Sequence, residues 1–80
     1  MPKLPQVSGD DIVKLLKSLG YGVVRQRGSH VRLRKNTPLG VHNITIPIHK
    51  VLAKGTLSDI LSRASLWNNI SKQDLIKRLK

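Results

Sequence analysis

The first stretch of the chain carries apolar residues three and four positions apart, the spacing that places them on one side of an α-helix. Ser8 precedes this stretch as a helix N-cap, and Asp11 follows three residues later, as in a capping box. Gly20 is the kind of residue that ends a helix. The pattern therefore predicts a helix between Ser8 and Gly20 whose core-facing residues are Ile12, Leu15, Leu16 and Leu19.

The middle of the chain alternates apolar and polar residues, which is typical of β-strands with one buried face. We expect one strand over residues 21–27, a tight turn at Gly28 and Ser29, and a return strand through about Lys35. The turn-rich segment 36–40 separates these strands from a third one, whose inward residues are Ile44, Ile46 and Ile48. Three antiparallel strands in meander order are the simplest arrangement.

Two further helices are predicted in the C-terminal part of the chain. Thr56 with Asp59, and Ser71 with Asp74, repeat the capping spacing before apolar residues, and the first of these helices extends to about Leu66. The order α-β-β-β-α-α predicts an α+β fold with a three-stranded antiparallel sheet and helices packed on one face. The open face would present Arg25, Arg27, His30, Arg32, Arg34, Asn43 and Thr45.

The length of the chain limits the number of domains, and its charge indicates which type of partner it binds. Eighty residues form one domain, 1–80, with a small core. Fifteen Lys and Arg against four Asp and Glu give a formal charge of +11, which favours nucleic acid over a membrane surface as the partner. The chain has no cysteine, which excludes disulfides and fits a cytoplasmic location. We expect no membrane segment, because no apolar run approaches spanning length. We expect no signal peptide, because the first residues are followed by a helix with two acidic residues and no apolar h-region.

His30, directly after the predicted turn, is the candidate catalytic residue. An imidazole titrates near neutral pH, so it could take a proton from a 2′-OH or give one to the leaving oxygen in RNA cleavage. The simpler interpretation is that a lone histidine beside a hairpin is a surface residue. No acidic residue lies between Gly20 and Pro38, so we expect phosphate binding by Arg25, Arg27, Arg32 and Arg34 rather than a merely solvated face.

A second group of candidates lies after the third strand. The segment Lys54-Gly55-Thr56 precedes a predicted helix, and the free N–H groups of a helix N-terminus suit a phosphate. Ordinary capping by Thr56, with no ligand, is the simpler interpretation, and the two are compatible. Beyond the arginines, the predicted RNA-binding residues are Gly28, Ser29, Lys50, Lys54 and Thr56.

His42, His49 and Trp67 admit two interpretations each. Together with His30, His42 and His49 could hold zinc, but no Asp or Glu accompanies them and the site would lie in a strongly positive field, so we predict no metal site. We expect His49 instead to cap the strand or to contact RNA. Trp67 could stack on a base, although a single tryptophan after a helix is more often a core residue that closes the end of a small domain.

The order and spacing of several segments resemble one known family. These segments are Ser8-Gly9, Leu19-Gly20-Tyr21, Arg25-Gln26-Arg27-Gly28-Ser29-His30, Ile46-Pro47-Ile48-His49 and Lys54-Gly55-Thr56-Leu57. The chain resembles the HicA toxins of bacterial and archaeal HicA–HicB toxin-antitoxin systems over nearly its whole length. The resemblance implies a fold like that of double-stranded-RNA-binding domains. It also implies a catalytic role for His30, the histidine of the Gly-Ser-His motif.

Further expectations follow from the same resemblance. It implies a metal-independent endoribonuclease that requires no cofactor, cleaves mRNA and halts translation until a HicB antitoxin binds and covers it. Members often carry a second histidine or a polar residue directly after the motif, where this chain has Val31. Two other classes of function remain open from the residues alone: a non-catalytic RNA-binding module that uses the same basic surface, and an interaction protein whose open face docks a partner.

Overall fold

The computed structural model describes residues 4–79, so residues 1–3 and 80 of the predicted domain lie outside the described part. The first helix, α1, spans Gly9–Ser18. The Ser8 hydroxyl accepts a hydrogen bond from the backbone N–H of Asp11 at 3.1 Å, and the Asp11 carboxylate accepts one from the backbone N–H of Ser8 at 3.0 Å. This reciprocal capping box confirms the predicted start of the helix.

Three strands follow in the predicted meander: β1 (Gly22–Arg27), β2 (His30–Thr37) and β3 (Gly40–Pro47), in the spatial order β1-β2-β3 with antiparallel neighbours. The strands are longer than the sequence suggests at one end. Segment 36–40 was expected as a connector, but β2 continues to Thr37 and β3 begins at Gly40. The Thr37 hydroxyl donates to the carbonyl of Gly40 at 2.8 Å, so a two-residue turn is enough to join the strands.

A β-bulge determines which face of β1 carries the basic side chains. The pairing with β2 shifts by one residue between Val23 and Arg25, so Val24 is an extra residue on β1. Strict alternation from the buried Tyr21 would turn Arg25 toward the helices. The bulge reverses the alternation, and Arg25 instead lies directly opposite Arg32.

The second helix, α2, spans Lys54–Asn68, and the third, α3, spans Lys72–Arg78. Ser71 caps α3 as predicted, by accepting from the backbone N–H of Asp74 at 3.1 Å. The predicted cap of α2 is wrong. Its N-cap residue is Ala53, which has no side-chain cap, and Thr56 is already the third residue of the helix. Ser, Thr and Asp also occur inside helices, and their spacing alone does not distinguish the first turn from its cap.

The helices cover one face of the sheet and the other face is open. The seven largest fully buried side chains come from all three helices and the two inner strand faces, namely Ile12, Leu16, Leu33, Ile46, Leu57, Leu61 and Leu75. Ile48 was expected in the third strand, but the strand ends at Pro47 and Ile48 packs half-buried against the core. The element order and the three-stranded antiparallel sheet confirm the α+β fold like that of double-stranded-RNA-binding domains.

Candidate functional site

His30 is the first residue of β2, the central strand, and lies at one end of the sheet. It pairs with Arg27 on β1 and with Pro47 on β3. The backbone N–H of Ile48 donates to the carbonyl of Ser29 at 2.6 Å, which ties the chain after β3 to the turn before His30. The His30 side chain is exposed, whereas its backbone is fixed by pairing with β1 on one side and β3 on the other.

The turn before His30 needs its glycine. Gly28 has φ +55°, in the left-handed region that favours glycine, and both Gly28 and Ser29 are exposed. These two residues form the complete connection between β1 and β2. The sequence prediction of a tight Gly-Ser turn that presents His30 at its end is confirmed.

A shallow concavity of about 150 Å³ surrounds His30 on the open face of the sheet. We call this concavity the His30 pocket; its lining consists of Arg25, Arg27, His30, Arg32 and Thr45. Thr45 is opposite Arg32 on β3, and Arg25 is opposite Arg32 on β1, so the three side chains form a row across the sheet. Four of the five lining residues were predicted as site residues; Thr45 was expected on the open face without a role.

The electrostatics of this face are one-sided. All four acidic residues lie in helices, at Asp10, Asp11, Asp59 and Asp74, and none lies in a strand. Three guanidinium groups share the His30 pocket with no carboxylate in its lining. Like charges at this spacing repel one another, and a bound anion would relieve that repulsion. The pocket is therefore suited to a phosphate group.

The remaining predicted RNA-binding residues lie around the His30 pocket or farther away. Arg34 is on the same face, two residues along β2, and its Nε donates to the Asn43 side-chain oxygen at 3.1 Å. Lys50 is exposed in the loop that follows β3, while Lys54 and Thr56 are exposed in the first turn of α2. None of these last three residues lines the pocket.

His42 occupies a different environment on the opposite face of the sheet. It is only 4% exposed, and its ring stacks on Trp67 with the ring centres 4.7 Å apart and the planes 4° apart. Its Nδ1 is hydrogen-bonded to the Tyr21 hydroxyl at 2.5 Å. Asn68 donates to the same hydroxyl oxygen at 3.0 Å, so the hydroxyl hydrogen is free to point at Nδ1 of a neutral imidazole.

The environment of this cluster shifts two pKa values. Burial lowers the pKa of His42 from its usual value, and the positive charge of Arg63 lowers it further. Burial raises the pKa of Tyr21, and the hydrogen bond donated by Asn68 partly offsets that increase. Sequence reasoning missed this cluster, although His42 lies two residues before Ile44 in a strand and so shares its inward face.

The histidines do not assemble a common site. His30 is on the open face of the sheet, whereas His42 is on the face that packs against the helices. Among residues 4–79, no three His, Cys, Asp or Glu side chains come together in an arrangement that could hold a metal ion. Trp67 is half-buried against His42, which combines the predicted core position with a partly accessible ring.

In a comparison with protein families, residues 9–66 match the model of the HicA toxin of bacterial toxin-antitoxin systems. The chain belongs to the HicA toxin family. The matched region contains α1, the whole sheet and most of α2, and therefore the complete His30 pocket. Membership implies that this HicA-family toxin has an antitoxin partner of the HicB type. No curated protein and no solved structure matches the chain.

Within residues 4–79 of this HicA-family chain, none of the helices has the length and apolar character needed to cross a membrane.

Proposed function

We propose that this chain is a metal-independent endoribonuclease that cleaves messenger RNA, with His30 as the proton-transfer residue. The observation that carries the proposal is the composition of the His30 pocket. His30 is the only histidine in its lining, and it lies among Arg25, Arg27 and Arg32 with no carboxylate in the lining. A proton carrier beside several phosphate-binding groups is the minimum that RNA cleavage requires.

The reaction that fits this pocket uses the 2′-OH of the RNA as the nucleophile. The 2′-oxygen attacks the neighbouring phosphorus, the bond from phosphorus to the 5′-oxygen breaks, and the products are a 2′,3′-cyclic phosphate and a 5′-hydroxyl. One proton leaves the 2′-OH and one arrives on the 5′-oxygen, and His30 transfers at least one of them. The guanidinium groups stabilise the negative charge that builds up on the phosphorus oxygens.

The rest of the predicted surface would hold the substrate in place. Arg34 continues the row of cations along β2, and the exposed backbone of the turn at Gly28 and Ser29 allows a phosphate to approach closely. Lys50, Lys54 and Thr56 would contact phosphates farther along the strand. Residues 1–80 would form one catalytic domain that works in the cytoplasm, where messenger RNA is found.

The antitoxin fits the same charge pattern. A HicB-type partner would stop the toxin by covering the His30 pocket, and acidic side chains on the partner would complement the guanidinium groups of the open face. Under this proposal, RNA and antitoxin compete for one surface.

The decisive experiment compares wild type with His30→Ala in the presence of a chelator. We expect His30→Ala to cleave a single-stranded mRNA about 100- to 10,000-fold more slowly, because one proton-transfer group is lost. Its RNA affinity should change little, because the arginines remain, and binding by both proteins should weaken as salt rises.

A second histidine provides the matched control. His49 is exposed and does not line the His30 pocket, so His49→Ala should cleave like wild type. Equal cleavage by wild type and His30→Ala would contradict the role of His30. Binding without cleavage by wild type would instead identify a non-catalytic RNA-binding module.

A further inference from the structure

A second cavity lies at the end of the sheet opposite His30. It has a volume of about 350 Å³ and opens between the turn that joins β2 to β3 and the C-terminal end of α2. We call it the Trp67 groove; its lining includes Lys35, Leu39, Leu66, Trp67, Asn68 and Asn69. Leu39 is 65% exposed and Leu66 is 70% exposed, so the lining of the groove includes two large apolar side chains that are accessible to solvent.

The indole in this groove is held in a fixed orientation. Trp67 stacks on His42, and His42 is hydrogen-bonded to Tyr21, whose hydroxyl also accepts from Asn68. Gly40 lies against the indole: a Cβ added there would be 3.9 Å from the ring. A preoriented aromatic ring loses little conformational entropy when a second flat ring stacks on it.

Polar groups surround the apolar lining. Lys35 donates from its ammonium group to the side-chain oxygen of Asn68, which fixes a cation at the groove. Asn69 ends α2 in the left-handed conformation, with φ 52°, and its side chain is exposed. An amide offers both a donor and an acceptor, the combination that reads the edge of a base.

Charge favours RNA over protein as the occupant. No carboxylate lines the Trp67 groove, and the chain carries a formal charge of +11. On the open face of β2, His30, Arg32 and Arg34 form a line that leads from the His30 pocket toward this end of the sheet. The seven residue steps from His30 to Thr37 span about 23 Å. The groove lies on the helix-covered side of that end, because Lys35 is opposite the buried His42 on β3. A strand held along the line would pass around the turn between β2 and β3 and enter the groove several nucleotides from the reacting bond.

We infer that the Trp67 groove binds one unpaired nucleobase of the RNA, stacked on the indole, and so selects the sequence context of cleavage. This inference rests on the proposed function, because it takes RNA as the substrate. Trp67, Asn68 and Asn69 lie beyond the residues matched to the family, 9–66, so membership assigns them no role. Aromatic stacking and an amide at the base edge together give a site that prefers some bases over others.

Trp67 is the only tryptophan of the chain, so its fluorescence reports on this groove alone. The experiment titrates the full chain with 2′-O-methyl oligonucleotides of about eight nucleotides, which bind but lack the attacking hydroxyl. Homopolymers of adenine, uracil and cytosine are compared with an abasic strand of the same length. The fluorescence anisotropy of an end label measures binding in parallel.

We expect the intact strands to quench Trp67 and to bind roughly tenfold more tightly than the abasic strand. The double variant Leu39→Ala/Leu66→Ala opens the groove at exposed positions and should lose most of that preference. Val23→Ala provides the matched control, because Val23 is also an exposed apolar residue, 44% accessible, and lies outside both cavities. It should keep the preference.

Three results would overturn the inference. These are tight binding of intact strands without quenching, an unchanged preference in the double variant, and quenching by the purified antitoxin but not by RNA, which would make the groove a protein contact. A different result would contradict the proposed function alone. If RNA quenches Trp67 and the base preference is present, but unmodified RNA is not cleaved, then the chain is not a ribonuclease and the groove still binds a base as inferred.

Discussion

Two histidines on adjacent strands show how the environment of a side chain determines what it can do. His30 faces solvent among guanidinium groups, where it is accessible to a substrate. His42 is buried on the other face, hydrogen-bonded to Tyr21 and stacked on Trp67. The first is the proposed proton-transfer residue, and the second is a structural residue whose burial favours the neutral ring.

His42 should make the stability of the protein depend on pH. Its pKa in the folded state lies below the unfolded value of about 6.5, so the unfolded chain binds more protons as pH falls through that range. The stabilisation is therefore complete above about pH 6.5 and is lost as pH falls toward the folded-state pKa. The sign follows from burial and from the positive charge of Arg63, both of which favour the neutral ring.

Urea unfolding at about pH 7.5 and about pH 5.5 tests this point with wild type and His42→Phe. We expect wild type to lose more of its free energy of unfolding between the two pH values than His42→Phe does. Every other titratable group is the same in both proteins, so the difference isolates His42. An equal loss in both proteins would contradict the assignment.

At the scale of elements, the packing of α1 on the end of β3 depends on one missing side chain. Gly9 is buried, and its backbone N–H donates to the carbonyl of His49 at 2.9 Å. A Cβ at this position would lie 2.2 Å from the backbone oxygen of Pro47. The two backbones therefore approach as closely as they do only because residue 9 is glycine.

Gly9→Ala should lower the free energy of unfolding by about 1–3 kcal/mol or more, since a backbone must move to admit the methyl group. Gly55→Ala is the control: Gly55 lies in the first turn of α2, and nothing would lie within 4 Å of its added Cβ. It should be neutral or stabilising by up to about 1 kcal/mol, because alanine favours a helix. Chemical denaturation measures both variants, and a stable Gly9→Ala protein would contradict this packing argument.

Local signals predicted α1 and α3 because each begins with a serine whose hydroxyl accepts from the backbone N–H three residues on. The start of α2 was missed because Ala53 gives no capping signal, while Thr56 and Asp59 inside the helix imitate one. The sequence predicts a connector of five residues, 36–40, between β2 and β3, because Pro38 is typical of a loop. The turn in the structure is only two residues long.

The part of the candidate site that lies on the hairpin of β1 and β2 could be predicted from the sequence. The part that depends on the pairing register between strands could not. The turn, His30, Arg32 and Arg34 are close together in sequence, so alternation along β2 places these side chains on the open face. The bulge at Val24, which turns Arg25 and Arg27 to the open face, leaves no mark in a run of two valines. Thr45 joins the pocket only because β3 pairs with β2 in one register.

At the scale of the whole molecule, the fold separates charge by face. Acidic residues are confined to the helices, and the segment from Tyr21 to Pro47 carries basic residues and no acidic ones. A polyanion therefore approaches a face that attracts it, and within residues 4–79 no strand residue forms an ion pair that would compete. The Arg63–Asp59 pair, at 2.9 Å, lies within α2 and leaves the sheet cations free.

The most direct measurement uses an RNA with a single 2′-deoxy nucleotide at the position where wild type cuts. We expect no cleavage at that bond, unchanged cleavage at other sites of the same RNA, and unchanged binding, because only the attacking 2′-OH has been removed. Products of the unmodified RNA should end in a 2′,3′-cyclic phosphate. Continued cleavage at the deoxy position would contradict attack by the 2′-OH, and with it the role proposed for His30.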